Sequence, residues 1–131
     1  MFEPFTAASA AQAIRRELDA WDQDFALRVL ITAINDLRKA IGSGTERVEA
    51  FLIEPETTGS EAWDALLGAQ VGRELRRSGY RLPGWAIPRP LKQWWFVNLV
   101  APLLIPRTIQ RTSPDLACLG IWLDDASFDV A

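Results

Sequence analysis

The chain has 131 residues, a formal net charge of -3, one cysteine and no histidine. Without histidine it cannot form a Ser-His-Asp or Cys-His nucleophile, a zinc site of the usual Cys/His kind, or a histidine pH switch. Because nucleic-acid binding depends on a net basic face, the acidic charge also argues against a direct nucleic-acid partner.

Size and composition predict one globular domain. Hydrophobic residues make up 49% of the chain and charged residues 24%, as in ordinary soluble proteins. Cys118 stands alone, which excludes an internal disulfide and fits a reducing cytoplasm. The N-terminus lacks the pattern of a signal peptide. We therefore predict a cytoplasmic protein with a single domain over residues 1–131, divided into a helical part (1–79) and a wrapping part (80–131).

Two helices are predicted in the first forty residues. Ser9 is the expected N-cap of the first, with Gln12 completing a capping box and helix formers continuing to Trp21. Asp22 is the expected N-cap of the second, and Gly42 its C-terminal signal. Apolar residues at three- and four-residue spacing predict the buried face of this second helix: Phe25, Val29, Leu30, Ala33, Ile34, Leu37 and Ile41.

Two further helices are predicted before residue 80. Thr45 is the expected cap of a short one that ends near Ile53. Ser60 or Thr58 is the expected cap of a longer one, Glu61 to Arg77, which Gly79 ends. The prediction is thus mainly α: four N-terminal helices, followed by an irregular half of short helices.

Gly68 and Gly72 lie four residues apart inside the fourth predicted helix. Each glycine costs about 1 kcal/mol of helix stability relative to alanine. We expect the two glycines to allow the close approach of another helix. The membrane form of this motif is not expected, because the helix is amphipathic.

The C-terminal half is rich in proline and tryptophan. Prolines at 83, 88, 90, 102, 106 and 114 argue against long helices. Short helices are predicted near 102–104, 109–111, 114–119 and 124–128, and a short strand or an extended segment over Trp94–Val97.

The segment Trp94-Trp95-Phe96, continued by Val97, Leu99, Val100 and residues 103–105, is the densest apolar feature. It is too short and too interrupted by proline to span a membrane. It is either core packed over the helices or a partner-binding patch, since tryptophan is enriched at binding hot spots. Adjacent residues of an extended segment point to opposite faces, so one tryptophan can be exposed while the other is buried.

Charged residues near the end of the fourth helix form a loose basic cluster. Its members are Arg73, Arg76, Arg77, Arg81, Arg89 and Lys92. The cluster is either a solvated face or a site for an acidic partner or a phosphate. The candidate partner-binding residues are therefore Trp94, Trp95, Phe96, Arg73, Arg77 and Arg81.

The acidic side chains near the C-terminus and the thiol of Cys118 are not expected to take part in catalysis. Asp115, Asp124, Asp125 and Asp129 are expected to cap short helices and to aid solubility, because no second ligand cluster accompanies them. Cys118 follows Leu116-Ala117 and is expected to be buried and inert. No cofactor or metal is predicted.

Several short phrases together resemble a group of small actinobacterial helical proteins. These proteins occur alone or behind a helix-turn-helix domain, often beside nucleotidyltransferase-like toxin genes. The phrases are Arg47–Leu52 with Glu54-Pro55, Thr58-Gly59, Trp63–Leu67, Leu82–Trp85, Trp94–Phe96, Thr112–Pro114, Gly120–Leu123 and Ser127-Phe128. The resemblance covers Phe25 to Ala131 and carries no defined site motif.

The resemblance implies a non-enzymatic, antitoxin-like protein that binds a toxin partner. About twenty residues precede the matching region, which is too few for a helix-turn-helix domain, so DNA binding is not implied. The alternative is a regulator-type domain that senses a ligand or partner and lacks its DNA-binding half. An enzyme that uses carboxylates is the third hypothesis.

Overall fold

Three long helices form the N-terminal part of the protein. The computed structural model describes residues 3–44, 46–98 and 101–128. The long helices are α1 (Ala7–Asp19), α2 (Gln23–Ser43) and α3 (Glu61–Arg77), with a 3-10 helix at Glu46–Phe51 between α2 and α3. Short elements follow: a 3-10 helix Gly84–Ala86, strand β1 (Trp95–Phe96), a 3-10 helix Pro102–Leu104, α4 (Ile105–Arg111), α5 (Pro114–Ala117), strand β2 (Ile121–Trp122) and a 3-10 helix Asp125–Phe128. The mainly α prediction is confirmed.

The N-terminus of α1 corrects one predicted cap. Thr6 is the N-cap, and its side-chain oxygen accepts the backbone N–H of Ser9 at 3.1 Å. Ser9 returns the contact, since its hydroxyl oxygen accepts the N–H of Thr6 at 2.8 Å. Ser9 therefore occupies position N3 of the capping box and is not its N-cap. Serine can take either role, because a hydroxyl both donates and accepts.

Helix α2 begins as predicted and ends slightly later. The Asp22 carboxylate accepts the N–H of Phe25 at 3.0 Å, as an N-cap does. The helix continues through Gly42 to Ser43, and Gly44 takes the left-handed conformation that ends it. Phe25 departs from the predicted buried face because it occupies the first, open turn of the helix and remains 47% exposed.

The third predicted helix is a 3-10 helix, whereas the fourth agrees with its prediction. Thr45, the expected cap of the third, lies outside the described residues. Val48 and Phe51 of the 3-10 helix are buried. Helix α3 covers Glu61–Arg77 behind the Ser60 cap, whose hydroxyl oxygen accepts the N–H of Trp63.

The two glycines of α3 accommodate a turn and not a helix. A Cβ at Gly72 would lie 2.5 Å from the carbonyl oxygen of Ala86, and one at Gly68 would lie 3.0 Å from that of Trp85. The 3-10 helix Gly84–Ala86 therefore packs its backbone directly on α3. The expected close approach is present, but the partner is this turn, because prolines 83 and 88 prevent a longer helix there.

The C-terminal half is organised by a two-stranded parallel pair. Trp95 is aligned with Ile121 and Phe96 with Trp122. The N–H of Val97 donates to the carbonyl oxygen of Trp122 at 3.0 Å and extends the pairing by one bond. This pair confirms the predicted short strand and brings two distant segments together.

The core lies between the long helices and β2. Its fully buried large side chains include Ile14, Leu30, Ile34, Leu37, Phe51, Leu66, Leu67, Leu75, Leu116, Ile121 and Phe128. The apolar run that follows Trp94 only partly joins it. Val97 is buried, Leu103 and Leu104 are exposed, and Leu99 and Val100 lie outside the described residues.

Candidate functional site

Residues 102–111 form an exposed segment that we call the apolar arm. It consists of the 3-10 helix Pro102–Leu104 and α4. None of these ten residues is buried. Leu103 is 90% exposed, Leu104 39% and Ile109 38%. An ordered segment that places its leucine and isoleucine side chains in water is unfavourable in isolation, and such patches are typical of interaction sites.

The arm is held at its C-terminal end. The Thr112 hydroxyl donates to the carbonyl oxygen of Thr108 at 2.6 Å and accepts the N–H of Leu123 at 3.0 Å. Arg111 Nη1 lies 3.9 Å from a carboxylate oxygen of Asp124. These contacts attach α4 to the residues just after β2. The apolar side chains are therefore presented from a fixed base.

The charge of the arm has one sign. Arg107 and Arg111 are its ionisable residues, and the sequence from 101 to 114 contains no carboxylate. Both arginines are exposed. The arm therefore offers apolar contact area with two positive charges beside it, which suits a partner surface that is apolar with an acidic rim.

The two adjacent tryptophans of the predicted patch point to different surroundings. Trp94 is 69% exposed and packs edge-on against Trp122, with ring centroids 5.1 Å apart. Trp95 is half-buried and packs edge-on against Trp63 at 5.3 Å. Phe96 is also half-buried and stacks on Trp122. Of this predicted set, Trp94 offers the most surface to a partner.

The predicted basic cluster divides into a buried arginine and exposed ones. Arg73 is only 6% exposed, and its guanidinium holds Asp125 with two hydrogen bonds, of 2.6 and 3.3 Å. Its Nε lies 3.5 Å from Asp115, which also accepts a hydrogen bond from Arg76 at 2.9 Å. Arg77 and Arg81 are exposed. The interpretation of the cluster as a solvated face is therefore wrong for Arg73, which binds the C-terminal segment.

Electrostatics reinforce this internal role of Arg73. Its hydrogen bonds to Asp125 raise the pKa of Arg73 above the ordinary value, against the opposing effect of burial. The same hydrogen bonds lower the pKa of Asp125, again against burial. Both groups are held in their charged forms, so the pair is a structural clamp between α3 and the last helical turn.

The acidic residues of the C-terminal half therefore do more than cap short helices. Asp124 caps as predicted, because its carboxylate accepts the N–H of Ala126 at 2.9 Å. Asp115 and Asp125 instead bind the arginines of α3. Sequence reasoning missed these pairs because their members are 39 to 52 residues apart. Asp129 lies outside the described residues.

Cys118 is exposed, which corrects the predicted buried thiol. It follows directly after the short helix α5, where Leu116 faces the core instead. Its Sγ lies 3.4 Å from the carbonyl oxygen of Asp115. The described residues contain no cluster of His, Cys, Asp and Glu side chains that could hold a metal ion.

A groove of about 550 Å³ lies between the loop 54–59, the first turns of α3 and residues 85–91. Leu67, Trp85 and Ile87 contribute apolar surface to it, and several glutamates lie around them. Asp64, which also lines it, is engaged by the backbone N–H and the hydroxyl of Thr58, each at 2.7 Å. That carboxylate therefore fixes the loop.

Comparisons with known proteins give no relative from which a function could be transferred. The chain matches no protein-family model, no curated protein and no solved structure. Within the described part of the chain, no helix has the length and apolar character needed to cross a membrane.

Proposed function

We propose that this protein is a non-enzymatic binding module that acts by direct contact with a partner protein. The observation that carries the proposal is the apolar arm, with Leu103 90% exposed on a segment that has no buried residue. Trp94 is a further large exposed side chain of this half: it directly precedes β1 and packs on Trp122 of β2, and the arm is attached to the residue that follows β2. Large apolar side chains of this kind supply most of the binding energy of protein interfaces.

The more specific form of the proposal is an antitoxin-like role in the cytoplasm. In this form the module neutralises a nucleotidyltransferase-like toxin by covering part of its surface. Its support is the resemblance of the short apolar-aromatic phrases to actinobacterial proteins found beside such toxins. The arm gives the proposal a physical counterpart, because none of its residues is buried and its apolar side chains are open to a partner.

The experiment is co-expression with the product of the neighbouring gene, with growth and co-purification as readouts. The arm variant is Leu103→Ser with Ile109→Ser, and the matched control is Ile53→Ser, which removes another exposed isoleucine, 68% exposed. We expect the arm variant to weaken the complex at least tenfold and to abolish rescue of growth. The control should behave as wild type.

Circular dichroism and thermal unfolding test whether the two variants fold normally, as we expect them to do. Loss of binding by a folded variant can then be attributed to the interface. An arm variant that folds and still rescues growth would remove the arm from the interface. A wild-type protein that neither binds nor rescues would reject the antitoxin-like role for that gene pair.

A ligand-sensing domain is the second candidate. The observation that favours it is a cleft lined by three tryptophans beside the α1–α2 turn. Its test is a binding experiment on the isolated protein, which needs no partner.

A further inference from the structure

A cleft of about 450 Å³ lies between the turn that joins α1 to α2, the start of α3 and the residue Trp95. Trp21, Trp63 and Trp95 line it. The edge-on Trp63–Trp95 pair contributes one aromatic wall, and Trp21 stands 93% exposed beside it. The volume is that of a small-molecule site.

One residue that lines this cleft, Trp21, has an unfavourable backbone conformation. Trp21 and Asn98, with φ of 59° and 49°, are the two non-glycine residues of the described chain that have positive φ. They are linked through Gln23, whose carbonyl oxygen accepts a hydrogen bond from Asn98 Nδ2 at 2.9 Å. A left-handed conformation is unfavourable for a bulky side chain, and such outliers cluster at ligand sites. Here the strain keeps a tryptophan in water, where it adds nothing to the core.

Among the polar side chains that line the cleft, the carboxylate of Asp19 and the amide of Gln23 make no hydrogen bond with the described residues. The Ser60 hydroxyl caps α3, and the Thr58 hydroxyl binds Asp64. Asp19 is the one ionisable residue among the lining side chains, and it makes no hydrogen bond or ion pair with the described residues. The adjacent turn adds two further acids, Asp22 and Asp24. The cleft thus combines aromatic faces with an unpaired negative charge.

We propose that this cleft binds an alkylated ammonium ion. Tryptophan faces attract such cations through the ring quadrupole, and aromatic cages recognise quaternary ammonium groups in this way. Asp19 supplies the countercharge. A sugar would need several hydrogen-bonding partners, whereas the Thr58 hydroxyl is already bound to Asp64. The inference does not depend on the proposed protein-binding function; it names a ligand class for the ligand-sensing candidate, which rests on the same cleft.

The test compares choline with its uncharged isostere 3,3-dimethyl-1-butanol, each titrated into the full chain by calorimetry and tryptophan fluorescence. We expect saturable binding of choline, and binding of the alcohol at least tenfold weaker. Equal binding of both compounds would overturn the proposal, because the cleft would then be selecting shape alone. No saturable response to choline would overturn it as well.

Two variants with matched controls locate the site. Trp21→Ala and Asp19→Asn should each weaken choline binding about tenfold. Tyr80→Ala removes another exposed aromatic side chain, and Glu46→Gln removes another exposed carboxylate. Neither residue lines the cleft, so both variants should bind as wild type. Trp21 and Asp19 are exposed, so folding should be intact by circular dichroism. Wild-type affinity in either cleft variant would overturn the assignment.

Discussion

Arg73 Nη1 donates to Asp125 Oδ1 at 2.6 Å and joins the middle of α3 to the last helical turn across 52 residues of sequence. The arginine is 6% exposed and the carboxylate 38%. This pair fixes the C-terminal segment on the helical part. Arg38 adds a parallel link, since its Nη1 donates to the carbonyl oxygen of Phe128 at 2.6 Å.

Loss of the Arg73 guanidinium is expected to destabilise the fold. Arg73→Met leaves Asp125 and Asp115 without their buried partner, and we expect a loss of about 2 kcal/mol, reduced from fully buried pairs by the exposure of the carboxylates. Urea unfolding measures it. Arg76→Met is the control: that arginine is 50% exposed, and its pair should contribute less than about 1 kcal/mol. Equal losses in both variants would contradict the clamp.

The same pair predicts an acid-dependent stability. Hydrogen bonding to Arg73 lowers the pKa of Asp125 below its ordinary value of 3.8. The unfolded chain therefore binds more protons in this range, so the stabilisation is complete above about pH 3.8 and is lost as the pH falls through the lower folded-state pKa. Asp125→Asn should flatten the dependence of melting temperature on pH below pH 4. An unchanged slope would show that the pair does not contribute.

The packing of α3 against the Gly84–Ala86 turn predicts an unusual response to alanine. Gly72→Ala places a Cβ 2.5 Å from a backbone oxygen, which cannot rotate away. We expect a loss of about 2 kcal/mol, because the steric effect exceeds the gain in helix propensity of about 1 kcal/mol. Gly42→Ala, with open space around it in α2, should instead stabilise the protein. Denaturant midpoints distinguish the two signs, and stabilisation by both variants would reject the close contact.

We expect the buried amide of Gln70 to lower the free energy of unfolding. Its side chain is fully buried, and neither its amide nitrogen nor its amide oxygen has a hydrogen-bond partner. Gln70→Met keeps the volume and removes two unpaired polar atoms, which should raise the free energy of unfolding by about 1 kcal/mol. Chemical denaturation measures it. A less stable methionine variant would show that the amide is satisfied in solution.

We expect the backbone conformation of Trp21 to lower the free energy of unfolding of the protein. Trp21→Gly relieves the left-handed backbone strain and removes no buried surface, so the variant should gain about 1 kcal/mol of stability. Trp94→Gly, at a residue without positive φ, should bring no such gain. Unfolding followed by circular dichroism compares them. A destabilised Trp21→Gly protein would mean that the indole contributes to the fold.

Local patterns in the sequence were sufficient for the long helices. The apolar spacing of α2, the Ser60 cap of α3 and the absence of histidine could each be interpreted without coordinates, since they depend on residues within a few positions of one another. The short strand at Trp95–Phe96 was predicted from its composition, but its partner at residues 121–122 was not. Pairing across 26 residues leaves no periodic signal.

The tertiary structure alone decided the roles of the charged and apolar residues outside those helices. Arg73 and Arg77 are four residues apart on one helix, yet the first is clamped by Asp125 and the second faces solvent. Leu103 is an apolar residue of the type that usually fills a core, yet it is exposed. Prolines at 102 and 106 hold the chain there in short turns that project from the core. The missing histidines, the net charge and the helical class follow from the sequence, because they are properties of composition and local spacing. The arm, the clamp and the tryptophan cleft depend on which distant segments meet, and burial and pairing are settled only when the chain has folded.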